Sequence, residues 1–290
     1  MTTKSISTKD ISELRARTGA GISDCKNALL EAAGDMDRAT EILRAKGIAK
    51  AEKRAGRSAS QGLIVIESLA DGSAGAMIEL NCETDFVART EDFTGLAREL
   101  AVHALAQAPA GVHPGSALDA QSLRGKTVAE VVKEVSGKTG EAMTLSRVAR
   151  FQTVAGTVQS YLHHNGQVGV LVEVQGPKGD ALTALAKDLA LHVASADPLA
   201  VREADIPEET IARERRIAEE QVAQEGKPEN IRARIVDGKV RKFVAERTLL
   251  GQNFVKDESR TVAALVAEAG KAAGGPVEVL RFARFRVGEA

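Results

Sequence analysis

The sequence predicts an α+β fold: an N-terminal module of three helices, a core of two related hairpin-plus-helix subdomains, and a helical-hairpin arm inserted in the second. Three observations carry this. Short, capped helical patterns fill the first 48 residues. A glycine-punctuated pattern that opens at Gly62 returns in register at Gly156. After Ile206, narrow apolar stripes run through two otherwise charged helical stretches. The expected divisions are 1–48 (module), 49–61 (basic linker), 62–145 (first core subdomain), 146–204 with 248–290 (second), and 205–247 (arm).

The composition sets the outer bounds. The chain has 290 residues, of which 43% are hydrophobic and 27% charged, ordinary for a globular protein of two or three domains. Aromatics are only 3%, so Leu, Val, Ile and Ala must build the cores. A net charge of -1 argues against electrostatic nucleic-acid binding by the whole molecule. No apolar run is long enough to span a membrane, and Met1-Thr-Thr-Lys-Ser5 does not read as a signal peptide. Cys25 and Cys82 are too few for a disulfide framework or a zinc site. The expectation is a cytoplasmic protein that needs no metal and no cofactor.

In the module, Ser7 or Thr8 caps a first helix that ends at Thr18-Gly19. Ser23 caps a second that stops at Gly34, and Asp35 caps a third with Gly47 as its stop. Three helices with so few large apolar residues resemble the ubiquitin-associated fold, which suits partner binding better than catalysis. Gly19-Ala20-Gly21 follows a helix and lacks the Gly-Lys-Ser/Thr ending, so it is not a phosphate loop. Gly125-Lys126-Thr127 and Gly137-Lys138-Thr139 fail because Ala120 and Val132 stand where the first glycine belongs. Lys50, Lys53, Arg54 and Arg57 against Glu52 make a basic stretch, read as a solvated helical linker or as a contact for RNA or an acidic surface.

The repeat is the strongest signal. Gly62 and Gly156 open strands, and ten residues on, Asp71-Gly72 and Asn165-Gly166 signal type I′ hairpins. Gly75-Ala-Met-Ile-Glu-Leu-Asn and Gly169-Val-Leu-Val-Glu-Val-Gln follow in step. Each copy then has a helix in which His103 and His192 occupy equivalent places, which favours structural roles for both. Glycine to helix leucine takes 21 residues in the first copy and 16 in the second. The extra five fall in the segment holding Thr84-Asp85-Phe86-Val87, so a scaffold does not require them. This shifts Phe86 from a core residue towards one presented outward. His163 and His164, read as strand neighbours, point to opposite faces and cannot easily share a metal.

After Ile206-Pro207-Glu208, Ile211, Ile217 and Val222 form one stripe, and Ile231, Ile235, Val240, Phe243 and Val244 the return stripe, of an antiparallel coiled-coil arm. Ser259 or Thr261 caps a further helix, and a last strand over 277–287 joins the second sheet.

Leu14-Arg-Ala-Arg-Thr-Gly-Ala-Gly21 with Asp24-Cys25-Lys26, then Asn81-Cys-Glu-Thr-Asp-Phe-Val87, Ser160-Tyr-Leu-His163, His192-Val-Ala194, Glu225-Gly-Lys-Pro228 and Leu250-Gly-Gln252 together resemble the bacterial elongation factor Ts family. The resemblance implies a non-enzymatic guanine nucleotide exchange factor that binds elongation factor Tu, GDP-bound and nucleotide-free, during translation elongation. It implies that Thr84, Asp85, Phe86 and Val87 disturb the partner's magnesium site, with Phe86 as a wedge. It implies further contacts at Arg15, Ile22, Ser23, Thr139, Gly140 and His163. Ile22-Ser23 replaces a methionine pair of some members, and a C-terminal helical module of some members is expected to be absent. No membrane and no direct nucleic acid is expected, and a homodimer or a 2:2 assembly stays open. The alternative is an RNA- or ribosome-associated adaptor without exchange activity.

Overall fold

The computed structural model describes residues 6–54, 56–226 and 228–289; the side chains of residues 48, 50, 52 and 53 lie outside it. Lys50, Glu52 and Lys53 of the basic stretch, and Lys227 of the arm's turn, therefore fall outside the described side chains. The chain is mixed helix and strand, an α+β fold. Helix α1 (Thr8–Thr18) starts in a capping box in which the Ser7 hydroxyl accepts from the Asp10 N–H and the Asp10 carboxylate accepts from Ser7. Helix α2 (Ile22–Glu31) starts at Gly21, so Ser23 lies inside the first turn and is not the expected cap. The tight connection from left-handed Gly19 begins the helix earlier than the serine suggested. Helix α3 (Met36–Arg54) is capped by the Asp35 carboxylate, which accepts from the N–H groups of Asp37 and Arg38.

The first half of the core runs β1 (Gln61–Ser68), β2 (Ala74–Cys82), the single-turn α4 (Asp85–Ala88), α5 (Glu91–Gln107), β3 (Gly111–Pro114), β4 (Ser122–Leu123), β5 (Lys126–Thr127), α6 (Val128–Thr139) and β6 (Met143–Gln152). The second runs β7 (Gly156–Leu162), β8 (Val168–Gln175), α7 (Asp180–Ala196), the pair α8 (Glu208–Gln224) and α9 (Glu229–Arg247), β9 (Asn253–Phe254), β10 (Asp257–Thr261), α10 (Val262–Ala273) and β11 (Glu278–Arg286). The main sheets have strand orders β1-β2-β6-β3 and β7-β8-β11, antiparallel throughout. Helices α5 and α6 cover one face of the first sheet through Phe93, Leu96, Leu100 and Val131. Helices α7 and α10 cover the second through Leu185, Leu189 and Val266. The remaining faces meet each other through Ile64, Met77, Phe151, Leu171 and Phe285. The core is thus four layers, helices outside and two sheets back to back.

The contact between the sheets is reciprocal. Ile64 donates its N–H to the Gly166 carbonyl, and Val158 donates to that of Gly72, so each hairpin turn is capped by a strand of the other sheet. Buried Glu79 pairs with Arg147, whose guanidinium lies 4.4 Å over the ring of Phe285. Buried Glu173 pairs with Arg281, which lies 4.4 Å over Phe151. Each arginine bridges its own sheet to an aromatic of the other.

Several expectations are corrected. The boundary at 145/146 cuts β6, which pairs with β2 and β3, so the first half extends to Gln152. The hairpins are not type I′: Gly72 and Gly166 are left-handed, whereas Asp71 and Asn165 are not. Gly72 closes on the Leu69 carbonyl and Gly166 on that of His163, each a four-residue turn ending in the glycine. His163 and His164 accordingly lie in the turn rather than on opposite faces of a strand, with ring centroids 4.2 Å apart. In the helical pair, Ala218, Val222, Val236, Val240 and Val244 form the buried seam, while Ile217 and Ile231 are exposed.

Gly47 does not stop α3, which continues through it to Arg54, so the divisions at 48/49 and 61 fall in a helix and at a strand start. A Cβ on Gly137 of α6 would lie 2.8 Å from the Gly47 carbonyl carbon, whereas one on Gly47 would sit in ordinary contact 3.6 Å from Gly137, so Gly137 is the glycine that lets these helices cross backbone to backbone. Gly137→Ala should therefore loosen the module on the core and lower the thermal midpoint. Gly238→Ala in α9, where the added methyl meets nothing within 4 Å, should stabilise by about 0.5–1 kcal/mol. Equal and favourable shifts for both would refute the crossing.

Candidate partner-binding surface

Thr84 to Val87 leaves the end of β2, and its local chemistry follows from its residues. The Thr84 hydroxyl accepts from the Val87 N–H and so caps the one-turn α4. Val87 packs inward against the first core and Ala88 is buried. Phe86, the residue before them, is 79% exposed. A phenylalanine held outside the core gains nothing intramolecular from that position. Asp85 forms an exposed ion pair with Arg89 at 2.7 Å. The buried Cys82 thiol donates to the Thr84 carbonyl and is pushed up to about 11, by burial first and then by the negative charge of Glu141. It is an inert neutral thiol beneath the turn.

The end of α6 adjoins this turn. Glu141, just beyond Thr139 and the left-handed cap Gly140, accepts from the Thr84 N–H at 3.0 Å and from its hydroxyl at 2.6 Å. The Thr139 hydroxyl is turned back to the Val135 carbonyl. Lys138 packs against Gly19 in the α1–α2 connection and pairs with Asp92 at the start of α5. That connection leads directly to Ile22, 59% exposed, and to exposed Ser23. Arg15 is exposed on the last turn of α1.

His163 comes from the second sheet. Its Nδ1 is 2.9 Å from the Tyr161 hydroxyl. Its turn is fixed to β1 through the Ile64 to Gly166 bond and through Gln167, whose side chain donates to the Gly62 carbonyl. Gly62 faces Asn81, so the turn sits at the end of the β1–β2 hairpin from which Thr84 departs. The structure therefore joins Thr84–Val87 directly to the α6 end, links Ile22 and Ser23 to it through Lys138, and places His163 at the same end of the neighbouring sheet. Arg15 has no bond to the Thr84 turn. Glu141 and Glu83, which hold the turn, were missed by sequence reasoning, because hydrogen bonding between loops distant in sequence leaves no periodic signal.

The two helix histidines are structural groups. His192 is buried, with Nε2 paired to Gln252 at 2.9 Å and Nδ1 accepting from the Val255 N–H. Burial pushes its pKa below the ordinary value. His103 makes the equivalent bond to Gln121 at 2.8 Å. Among the described residues no three or more His, Cys, Asp or Glu side chains gather as a metal site, and no helix is long and apolar enough to cross a membrane.

A family model described as "Elongation factor TS" matches residues 83–289. The chain is 46% identical over 289 residues to "Elongation factor Ts" of Aquifex aeolicus, with 98% of each chain covered. It is 42% identical to the protein of that name from Clostridium perfringens (strain 13 / Type A), covering 98% of this chain and 93% of the relative. The corresponding figures for Prosthecochloris aestuarii are 41%, 98% and 99%.

Proposed function

The chain belongs to the elongation factor Ts family, and on that premise we propose that it is a guanine nucleotide exchange factor that binds elongation factor Tu and promotes GDP release during translation elongation. The observation that carries the mechanism is Phe86: an exposed aromatic on a firmly held turn that the second repeat lacks. A GTPase grips its nucleotide through magnesium and backbone donors around the phosphates. An exchange factor need not touch that nucleotide. It binds the empty partner more tightly than the filled one, and by reciprocity weakens nucleotide binding by the same factor. Phe86 supplies the apolar wedge of such a difference. Asp85 supplies a negative charge near the metal and phosphate site once it leaves Arg89, an exposed pair whose loss costs at most about 1 kcal/mol. Exposed Arg15, Ile22, Ser23 and Gly140 and half-buried Thr139 and His163 extend the contact. The protein is no catalyst of bond chemistry in this reading and works in the cytoplasm without membrane or nucleic acid; a homodimer or 2:2 assembly is compatible with it.

We further read the chain as a ubiquitin-associated-like module, two related core subdomains and a coiled-coil arm over 205–247. The arm's apolar cluster is local, comprising its own seam with Ala200 and Ile206 at its base. Deleting residues 208 to 246 should leave a folded core that still stimulates release. Loss of cooperative unfolding in that variant would sink the independent-arm reading. The adaptor alternative gains no support from the described cations of the basic stretch: Arg54 donates to the Ser136 carbonyl and Arg57 pairs with Glu83. Stopped-flow release of a fluorescent GDP from elongation factor Tu tests the whole proposal. Release no faster with this protein than without it would overturn it.

A further inference from the structure

From residue 127 to 151 the first half maps onto 261 to 285 of the second without a gap. Thr127 and Thr261 cap α6 and α10, each of 12 residues, and Gly140 and Gly274 are their left-handed ends. Arg147 and Phe151 correspond to Arg281 and Phe285. In that alignment Glu141 stands opposite Gly275. The Phe86 turn and Glu141 are thus both among the places where the first half departs from the second, and the two are bonded to each other.

The bond is a clamp with two sides. The Glu141 carboxylate takes both the N–H and the hydroxyl of Thr84. In return the Glu83 carboxylate takes the Ala142 N–H at 2.7 Å. The Ser136 hydroxyl holds the Glu141 carbonyl, anchoring the acid to the last turn of α6. With its hydrogen committed to Glu141, the Thr84 hydroxyl presents a lone pair to the Val87 N–H and so closes α4. A four-residue helix has no stability of its own, and Phe86 makes no core contact that would orient it. We infer that Glu141 is a positioning residue for nucleotide exchange: it fixes Thr84, and through Thr84 the direction in which Phe86 is presented. This rests on the exchange reading above.

Two measurements test it on the full-length protein. In the free protein, amide hydrogen exchange at Thr84 and Val87 should speed up about tenfold or more in Glu141→Gln and Glu141→Ala, as expected for a lost charge-assisted bond, with β2 amides unchanged. In stopped-flow release of fluorescent GDP from elongation factor Tu, Glu141→Ala should slow the stimulated rate about tenfold while weakening binding to the nucleotide-free partner much less. The double variant with Phe86→Ala should be no slower than Phe86→Ala alone. Unchanged exchange at Thr84 and Val87, a normal release rate, or additive losses in the double variant would each overturn the role of Glu141. A wild-type protein that fails to stimulate release, with Thr84 still protected by Glu141, would instead overturn the exchange reading on which that role depends.

Discussion

Replacing Phe86 with alanine should slow stimulated GDP release from elongation factor Tu by at least tenfold and leave the protein's own stability unchanged. The two halves of this expectation have one cause. The ring is 79% exposed in the free protein, so removing it takes nothing from any core, and such surface changes stay within about 0.5 kcal/mol. Burying that ring in a partner contributes about 1.5–3 kcal/mol, which is roughly ten- to a hundredfold in an equilibrium or a rate. If the ring acts as a wedge, most of this is spent on displacing the nucleotide site. Complex formation with the nucleotide-free partner should then suffer less than the release rate. Stopped-flow release combined with a thermal melt distinguishes the cases. Normal stimulation would refute the wedge, and a lower melting temperature would show that Phe86 serves the fold.

The largest loss of stability should come from Phe151→Ala or Phe285→Ala, at about 3–5 kcal/mol each. Both rings are almost wholly buried between the sheets, at 1% and 2% exposed, and each lies under an arginine from the opposite sheet. Truncation opens a cavity and also leaves that arginine without its aromatic face. The reciprocal arrangement makes the two losses similar in size, and urea unfolding of both variants measures them. A cost below about 1 kcal/mol for either would mean that the interface between the sheets collapses around the gap.

Periodicity and glycine spacing made the hairpins and the helices after them legible, because these repeat within short windows. The rest of the repeat was also written in the sequence but went unread. Arg147-Val-Ala-Arg-Phe151 returns as Arg281-Phe-Ala-Arg-Phe285, and Gln121 with Thr127-Val128 returns as Gln252 with Thr261-Val262. The helical pair over 208–247 separates these matches from the first part of the second copy. Seeing them would have placed the boundary after Gln152. Gly47 misled for a different reason: it lies inside α3, whose path onto α6 at Gly137 is a tertiary contact that local pattern does not report. Asp-Gly and Asn-Gly were compatible with both kinds of turn, and only the φ of the first residue separates them. At the candidate site, the length difference between the copies flagged the Phe86 segment. The Glu141 clamp stayed hidden because its two ends lie 57 residues apart.

The shared face between the sheets also dictates a schedule for the nascent chain. Ile64, Met77 and Phe151 are made first and Val158 and Leu171 soon after, yet the strand that brings Phe285 against them comes 134 residues after Phe151. At translation rates of about 5–20 residues per second, the part of that face that Phe285 covers must wait on the order of ten seconds after Phe151 is made. A protein in this reading serves translation, and during its own synthesis part of the seam between its sheets stays open until the strand carrying Phe285 is made.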